Sequence, residues 1–302
     1  MHTAFIGLGN MGGHMSRNLA AAGIELVVFD TDPQRSRSAV AVGARPAVSA
    51  VDAVANADVV ITMLPTPDVI ADVMLGSGGV LAAMAVGALW IDMSTSVPEV
   101  ADRVRAAGAD RGLRVLDAPV SGMSAGADAG QLQIFIGGEA ADVAAARELF
   151  DVMGNPERVL HVGPHGAGYA AKLMINALWF VQLIGIAEVL TVGAKAGVDL
   201  AILRAALVAS PANSQLLEHD YDGLLRSGDY DDTFAMALAC KDLRLALELA
   251  RSTGVDVPVA AQVNDIFEAA RKRYGDNAGE MIPVRLYEDD NAQPLRIAGG
   301  AA

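Results

Sequence analysis

The stretch Thr3-Ala4-Phe5-Ile6-Gly7-Leu8-Gly9-Asn10-Met11-Gly12 decides how the N-terminal half of this chain folds. A short apolar run ends on G-x-G-x-x-G, and an Ala-rich helical pattern follows over residues 11–22. Strand, glycine turn and helix in that order form the context in which such a fingerprint binds a dinucleotide. Gly7 permits the tight turn, Gly9 lets backbone approach a pyrophosphate, and Gly12 permits close packing of helix on strand. Leu8, Asn10 and Met11 complete the cradle, and the helix N-terminus adds N–H donors and partial positive charge. Asp30 lies eighteen residues beyond Gly12, at the end of the next apolar run. A carboxylate there hydrogen-bonds the adenosine ribose. It also repels a 2′-phosphate, with Asp32 close by, so NAD is expected over NADP. Arg35 and Arg37 offset part of that repulsion.

Working outward, further apolar runs fall at residues 26–30, 59–63, 89–92, 114–117, 133–137 and 159–162. Most are continuous rather than alternating, as expected of strands covered on both faces of a mostly parallel sheet. Ala-rich segments at 11–22, 98–108 and 140–153 read as crossover helices. Alternating β and α predicts an α/β fold with a doubly wound Rossmann-type domain over residues 1–163. The breaker cluster Gly163-Pro164-His165-Gly166 ends this texture. Helical patterns follow at 167–197, 200–210, 233–254 and 258–274. Residues 164–290 are therefore expected to form an all-α domain for substrate and oligomerisation, joined by the long helix, with residues 291–302 as a mobile tail.

The chain has 302 residues, 53% hydrophobic and 19% charged, which suits two globular domains. A net charge of −14 disfavours nucleic acid and anionic membrane surfaces as partners. One cysteine, Cys240, excludes an internal disulfide and fits a reducing cytoplasm. The five histidines show no metal-ligand spacing, so no metal is expected. No basic leader precedes the first apolar run, and no targeting segment is expected. The most lipid-like stretch, residues 173–192, is interrupted by Asn176, Gln182 and Glu188 and reads as a buried helix.

The run Phe5-Ile6-Gly7-Leu8-Gly9-Asn10-Met11-Gly12-Gly13-His14-Met15-Ser16-Arg17-Asn18-Leu19 closely resembles the N-terminal signature of the β-hydroxyacid dehydrogenases, the family of 3-hydroxyisobutyrate dehydrogenase. Four segments that follow, together with a second lysine motif, agree in order and spacing over roughly residues 3–275. Met63-Leu64-Pro65 resembles the loop beside the adenosine half of the cofactor, which implies Leu64 and Pro65 as cofactor contacts. Ile91-Asp92-Met93-Ser94-Thr95 resembles the strand end near the nicotinamide and implies Thr95. Asp117-Ala118-Pro119-Val120-Ser121-Gly122 resembles the substrate loop. Lys172 and Asn176 sit where the family's catalytic helix has its lysine and asparagine. Ala239-Cys240-Lys241-Asp242-Leu243 resembles the second lysine motif, which brings Lys241 to the cofactor.

The residues themselves suit that chemistry. Oxidising an alcohol removes a hydride from carbon and a proton from oxygen. Lys172, on a mostly apolar helix, is a candidate general acid/base, its pKa lowered by desolvation. Asn176, at i+4, shares its helix face and can hold the reacting oxygen or the lysine. Gly168 and the alanines near Lys172 leave room for a ligand. The resemblance implies that exposed backbone N–H groups at Ser121 and Gly122 bind a substrate carboxylate. Met123 stands where the family usually has a second glycine. A positive φ there would be costly for methionine, and its side chain narrows or greases the pocket. Trp179 is a second departure, read either as core packing or as a pocket wall, and segments 209–214 and 279–289 also look atypical.

The leading expectation is NAD-dependent oxidation of a small, carboxylate-bearing β-hydroxy acid by a homodimer or homotetramer. A catalytically silent NAD-binding or scaffold protein is the alternative, as is another enzyme of the family: a hydroxybutyrate or serine dehydrogenase, or a semialdehyde or imine reductase. The 6-phosphogluconate dehydrogenases have Lys-x-x-His-Asn, whereas Ile175 stands here before Asn176. Imine reductases usually carry another residue in place of Lys172. A methyltransferase would also use a glycine-rich turn followed by an acid.

Overall fold

The structure is a computed structural model that describes residues 1–231 and 233–297. Among the described residues one sheet contains β1 (Thr3–Ile6), β2 (Leu26–Phe29), β3 (Arg45–Pro46), β4 (Val59–Thr62), β5 (Leu89–Asp92), β6 (Arg114–Asp117), β7 (Val120–Ser121), β8 (Leu132–Gly137) and β9 (Gly154–Gly163). Its order is β3-β2-β1-β4-β5-β6-β8-β7, with β9 beside β8. Neighbours from β3 to β6 pair in parallel, and β8 runs antiparallel to β6 and β7. β1, β4 and β5 are buried along their whole length, which is why their sequences are unbroken apolar runs. The two-residue strands β3 and β7 are too short to show any periodicity. β9 begins five residues before the expected 159, because its exposed Pro156 and Glu157 hide the strand pattern. The helical segment expected over 140–153 is two helices, Ala140–Ala145 and Arg147–Met153, separated at Ala146.

The register aligns the strand ends. Phe29 faces Ile6, Ile6 faces Thr62, Thr62 faces Asp92, and Asp92 faces Asp117. The turns that follow these residues therefore emerge along one carboxyl edge. The order reverses between β1 and β4, directly beside Gly7, where open α/β sheets bind ligands.

The chain separates into two compact units, residues 1–173 and residues 174 onward. The division falls ten residues after the expected boundary at 163. The start of the long helix Ala167–Lys195 belongs to the first unit because Gly166 and Tyr169 donate backbone N–H bonds to the Asp117 carboxylate, at 2.8 and 3.1 Å. The second unit is helical, built on the remainder of that helix with Leu200–Val208, Tyr221–Ser227, Met236–Ser252, Pro258–Tyr274 and Pro283–Asn291. Its core gathers Phe180, Leu183, Leu190, Leu243 and Phe267.

Two expectations about this half need correction. The stretch read as a buried helix is only about one-third covered: 33% of its most apolar window is buried. Leu183, Ala187 and Leu190 face the core, whereas Met174, Leu178, Val189 and Val192 are exposed. By length and composition it is the one helix among the described residues apolar enough to cross a membrane. The expected mobile tail is anchored as far as Ile297. Leu295 is fully buried and donates to Glu288 Oε1 at 2.7 Å, Arg296 pairs with the same oxygen, and Ile297 donates to the Leu225 carbonyl. Residues 298–302 lie outside the described residues.

Candidate active site

The glycine turn is built as its sequence requires. Gly7 has φ +95°, and a Cβ there would lie 2.3 Å from the Met63 carbonyl oxygen. A Cβ on Gly12 would lie 2.0 Å from the Gly7 carbonyl oxygen and 3.1 Å from the Phe5 ring, so only glycine lets the helix Gly12–Ala21 sit this close to β1. At Gly9, among the described residues, the only neighbour of a Cβ within 4 Å would be the Arg35 guanidinium, at 3.2 Å. Backbone there is open to a ligand. The N-cap residue of that helix, Met11, makes no side-chain capping bond. Asn10 is exposed and Met11 half-buried. Leu8 is a core residue, and its N–H is held by Asp30 Oδ2 at 2.7 Å. Asp30 Oδ1 accepts from Asp32 N–H at 2.9 Å. Each Asp30 oxygen retains a lone pair for a ribose hydroxyl. These residues fit a dinucleotide.

The next two turns of the carboxyl edge are tied together by a buried carboxylate. Leu64 N–H donates to Ser94 Oγ at 2.8 Å, and Ser94 Oγ donates to Asp92 Oδ1 at 2.6 Å. Pro65 is exposed and Thr95 half-buried beside them. Asp92 and Asp117 are both inaccessible to solvent, and burial pushes both carboxyls above the usual carboxylate range. Burial also holds the Tyr169 phenol well above its ordinary value.

After β7 the chain turns through Gly122, with φ +130°, into the helix Met123–Asp128. Met123 itself has φ +55°, a left-handed conformation, and is 40% exposed. The backbone that suits glycine has thus been kept with a larger side chain. Ser121 is half-buried at the end of β7. Arg17 and His14 on the first helix reach Asp128, which fastens the far end of this short helix.

Lys172 is buried, 9% exposed, on the second turn of the long helix. Gly168 does not open space for a ligand beside it. A Cβ on Gly168 would lie 2.4 Å from the carbonyl oxygens of Asp117 and Phe135, so this glycine seats the helix against the sheet. In the second unit Asn176 donates to Asp242 Oδ2 at 2.7 Å, and Lys241 Nζ lies 3.1 Å from Asp242 Oδ1. Trp179 stacks edge-on against Phe180 and donates to Asp220 at 3.4 Å, so it packs at the margin of the helical core. Asp92, Tyr169 and Asp242 were not singled out by sequence. The available signal was a lone acid closing an apolar strand, and an acid directly after a motif lysine.

Comparison with known proteins decides what this assembly belongs to. The family profile described as the NAD binding domain of 6-phosphogluconate dehydrogenase matches residues 2–163. That described as the NAD-binding domain of NADP-dependent 3-hydroxyisobutyrate dehydrogenase matches residues 166–287. A 3-hydroxyisobutyrate dehydrogenase of Pseudomonas aeruginosa is 40% identical over 87% of this chain and 90% of its own. The chain belongs to the β-hydroxyacid dehydrogenase family. It is an NAD(P)-dependent dehydrogenase acting on CH–OH groups. An NAD-dependent L-serine dehydrogenase of the same organism is also 40% identical, over 96% of this chain and 99% of its own. The solved 3-hydroxyisobutyrate dehydrogenase of Mycobacterium tuberculosis with L-serine superposes with a TM-score of 0.86 at 34% identity, covering 95% of this chain and 99% of that one.

Proposed function

We propose that this dehydrogenase oxidises a small β-hydroxy acid of the 3-hydroxyisobutyrate or serine type with NAD, and that Lys172 is the general acid/base. The carrying observation is the placement of Lys172: a buried lysine one turn beyond Gly168 and Tyr169, on a helix start bonded to Asp117 at the carboxyl edge. Lys172 takes the hydroxyl proton and returns it in the reverse direction. Bound NAD supplies the hydride acceptor. Residues Gly7 to Gly12 and Asp30 hold its pyrophosphate and ribose, with Leu64, Pro65 and Thr95 along the same edge, and Lys241 is assigned to the cofactor by its motif. Ser121, Gly122 and Met123 face the substrate, the first two through its carboxylate. Asn176, with its nitrogen held by Asp242, offers Oδ1 to the reacting hydroxyl or to the lysine.

Dinucleotide binding is assigned to residues 1–163, and substrate binding and self-association to residues 164–290. NAD is preferred over NADP because Asp30 stands where a 2′-phosphate would sit, although Arg35 lies beside Gly9. The exposed Met174, Leu178, Val189 and Val192 support self-association into dimers or tetramers. A single buried cysteine suits the cytoplasm.

The test is NADH formation, read by absorbance with a panel of hydroxy acids that includes 3-hydroxyisobutyrate and L-serine. Lys172→Ala should lower turnover by at least ~10²-fold. Near-normal turnover in that variant removes the lysine from the reaction. NAD binding without NADH from any hydroxy acid would establish a silent binder instead.

A further inference from the structure

Asp92 closes β5 in the middle of the carboxyl-edge row and is fully buried. Three hydroxyls converge on it. Thr62 Oγ1 and Ser94 Oγ lie 2.7 and 2.6 Å from Oδ1, and the Tyr169 hydroxyl lies 2.7 Å from Oδ2. Two of these hydroxyls carry a second bond. Thr62 Oγ1 already accepts from Trp90 Nε1 at 2.9 Å, and Ser94 Oγ already accepts from Leu64 N–H at 2.8 Å. Each hydroxyl owns one proton, and an indole or peptide N–H only donates. A carboxylate only accepts, so with Asp92 ionised each hydroxyl turns its single proton toward it.

The donors come from separate parts of the site. Leu64 belongs to the turn after β4, and Ser94 precedes Thr95 in the turn after β5. Tyr169 stands on the first turn of the long helix, three residues before Lys172. We propose that Asp92 is a positioning residue. Its buried carboxylate holds the two cofactor-side turns through Ser94 and the start of the lysine helix through Tyr169, so that the first sets NAD affinity and the second sets turnover. The turnover half rests on Lys172 as the acid/base; the affinity half does not.

The alternative is a polar cluster that only stabilises the fold, and the two make different predictions. Three variants of the full chain, Asp92→Asn, Ser94→Ala and Tyr169→Phe, are compared for melting temperature, NAD dissociation constant and kcat. Ser94→Ala leaves the Leu64 N–H without its acceptor, and its NAD dissociation constant should rise about five- to tenfold. Tyr169→Phe keeps the ring and loses only the hydroxyl. Its kcat should fall about 10- to 100-fold through misplacement of the helix, with NAD affinity within about twofold of the parent. Asp92→Asn should show both effects, because an amide nitrogen must now face one of the three donors. If Asp92→Asn does not fold, the two milder variants carry the test. Folded Ser94→Ala and Tyr169→Phe proteins with parental NAD affinity and kcat, altered only in melting temperature, would overturn the proposal. Full activity in Lys172→Ala would discard the lysine reading and leave NAD affinity in Ser94→Ala and Asp92→Asn to decide.

Discussion

Asn176 Nδ2 donates to Asp242 Oδ2 at 2.7 Å, and this bond orients the amide. A carboxylate only accepts, so the amide must turn its nitrogen toward Asp242 and leave Oδ1 as the end presented elsewhere. The other Asp242 oxygen lies 3.1 Å from Lys241 Nζ, and Asp242 is 1% exposed. One buried acid thus orients both residues of the helical unit that the family motifs single out. Asp242→Ala should lower kcat/KM by about 10²-fold through misplacement of these groups. It should also cost about 3 kcal/mol of stability, as breaking a buried ion pair does. Asp242→Asn retains an acceptor for Asn176 and should lose less on both counts. Steady-state kinetics and urea unfolding of the two variants measure the difference.

The glycines of the fingerprint are not equivalent. A Cβ at Gly12 meets backbone at 2.0 Å, whereas at Gly9 it meets only the tip of Arg35 at 3.2 Å. Gly12→Ala should therefore unfold at lower denaturant or fail to accumulate. Gly9→Ala should keep the parental melting temperature and lose NAD affinity. Thermal melts with and without NAD separate the two, because only a binding-competent fold gains stability from ligand.

Met123 holds a left-handed conformation while 40% exposed, so packing repays little of the strain. Met123→Gly should raise stability by up to ~1 kcal/mol, the strain relief being partly offset by glycine's greater entropy when unfolded. The denaturation midpoint should rise with an unchanged slope. A shift in kcat/KM among hydroxy acids of different bulk in the same variant would place this side chain at the substrate.

Asp117 is buried under the N–H groups of Gly166 and Tyr169, and burial raises its carboxyl above the ordinary 3.8. An acid whose folded pKa is raised favours the folded state most when protonated. Its contribution is complete below 3.8 and is lost as pH rises through the raised value. Asp117→Asn removes this titration. The stability of the parent relative to the variant should therefore decline as pH increases from below 3.8 and then level off. Urea unfolding across the acid range measures it, and a pH-independent difference would count against the assignment.

Much of this was legible in the chain. The unbroken runs at β1, β4 and β5, the glycine turn and Asp30 follow from local rules, because burial on both faces and a tight turn restrict residue choice where they occur. Lys172, Asn176 and Lys241 were visible as motif positions. Their partners were not. Asp92 and Tyr169 are 77 residues apart, Asn176 and Asp242 66 apart, and Asp117 and Gly166 49 apart. Such pairs leave no period in the sequence.

The sequence by itself determined the α/β character, the dinucleotide turn and the change to helices near residue 163, since each depends on neighbours within a few residues. Only the tertiary structure decided which face of Ala167–Lys195 is covered, because a helix apolar on every side carries no pattern that selects one. It also decided that the chain is anchored through Ile297, where Glu288 gathers Leu295 and Arg296. And it placed Thr62, Ser94 and Tyr169 around one buried carboxylate. Strand register and helix seating brought those hydroxyls together, and these depend on the packing of the whole sheet.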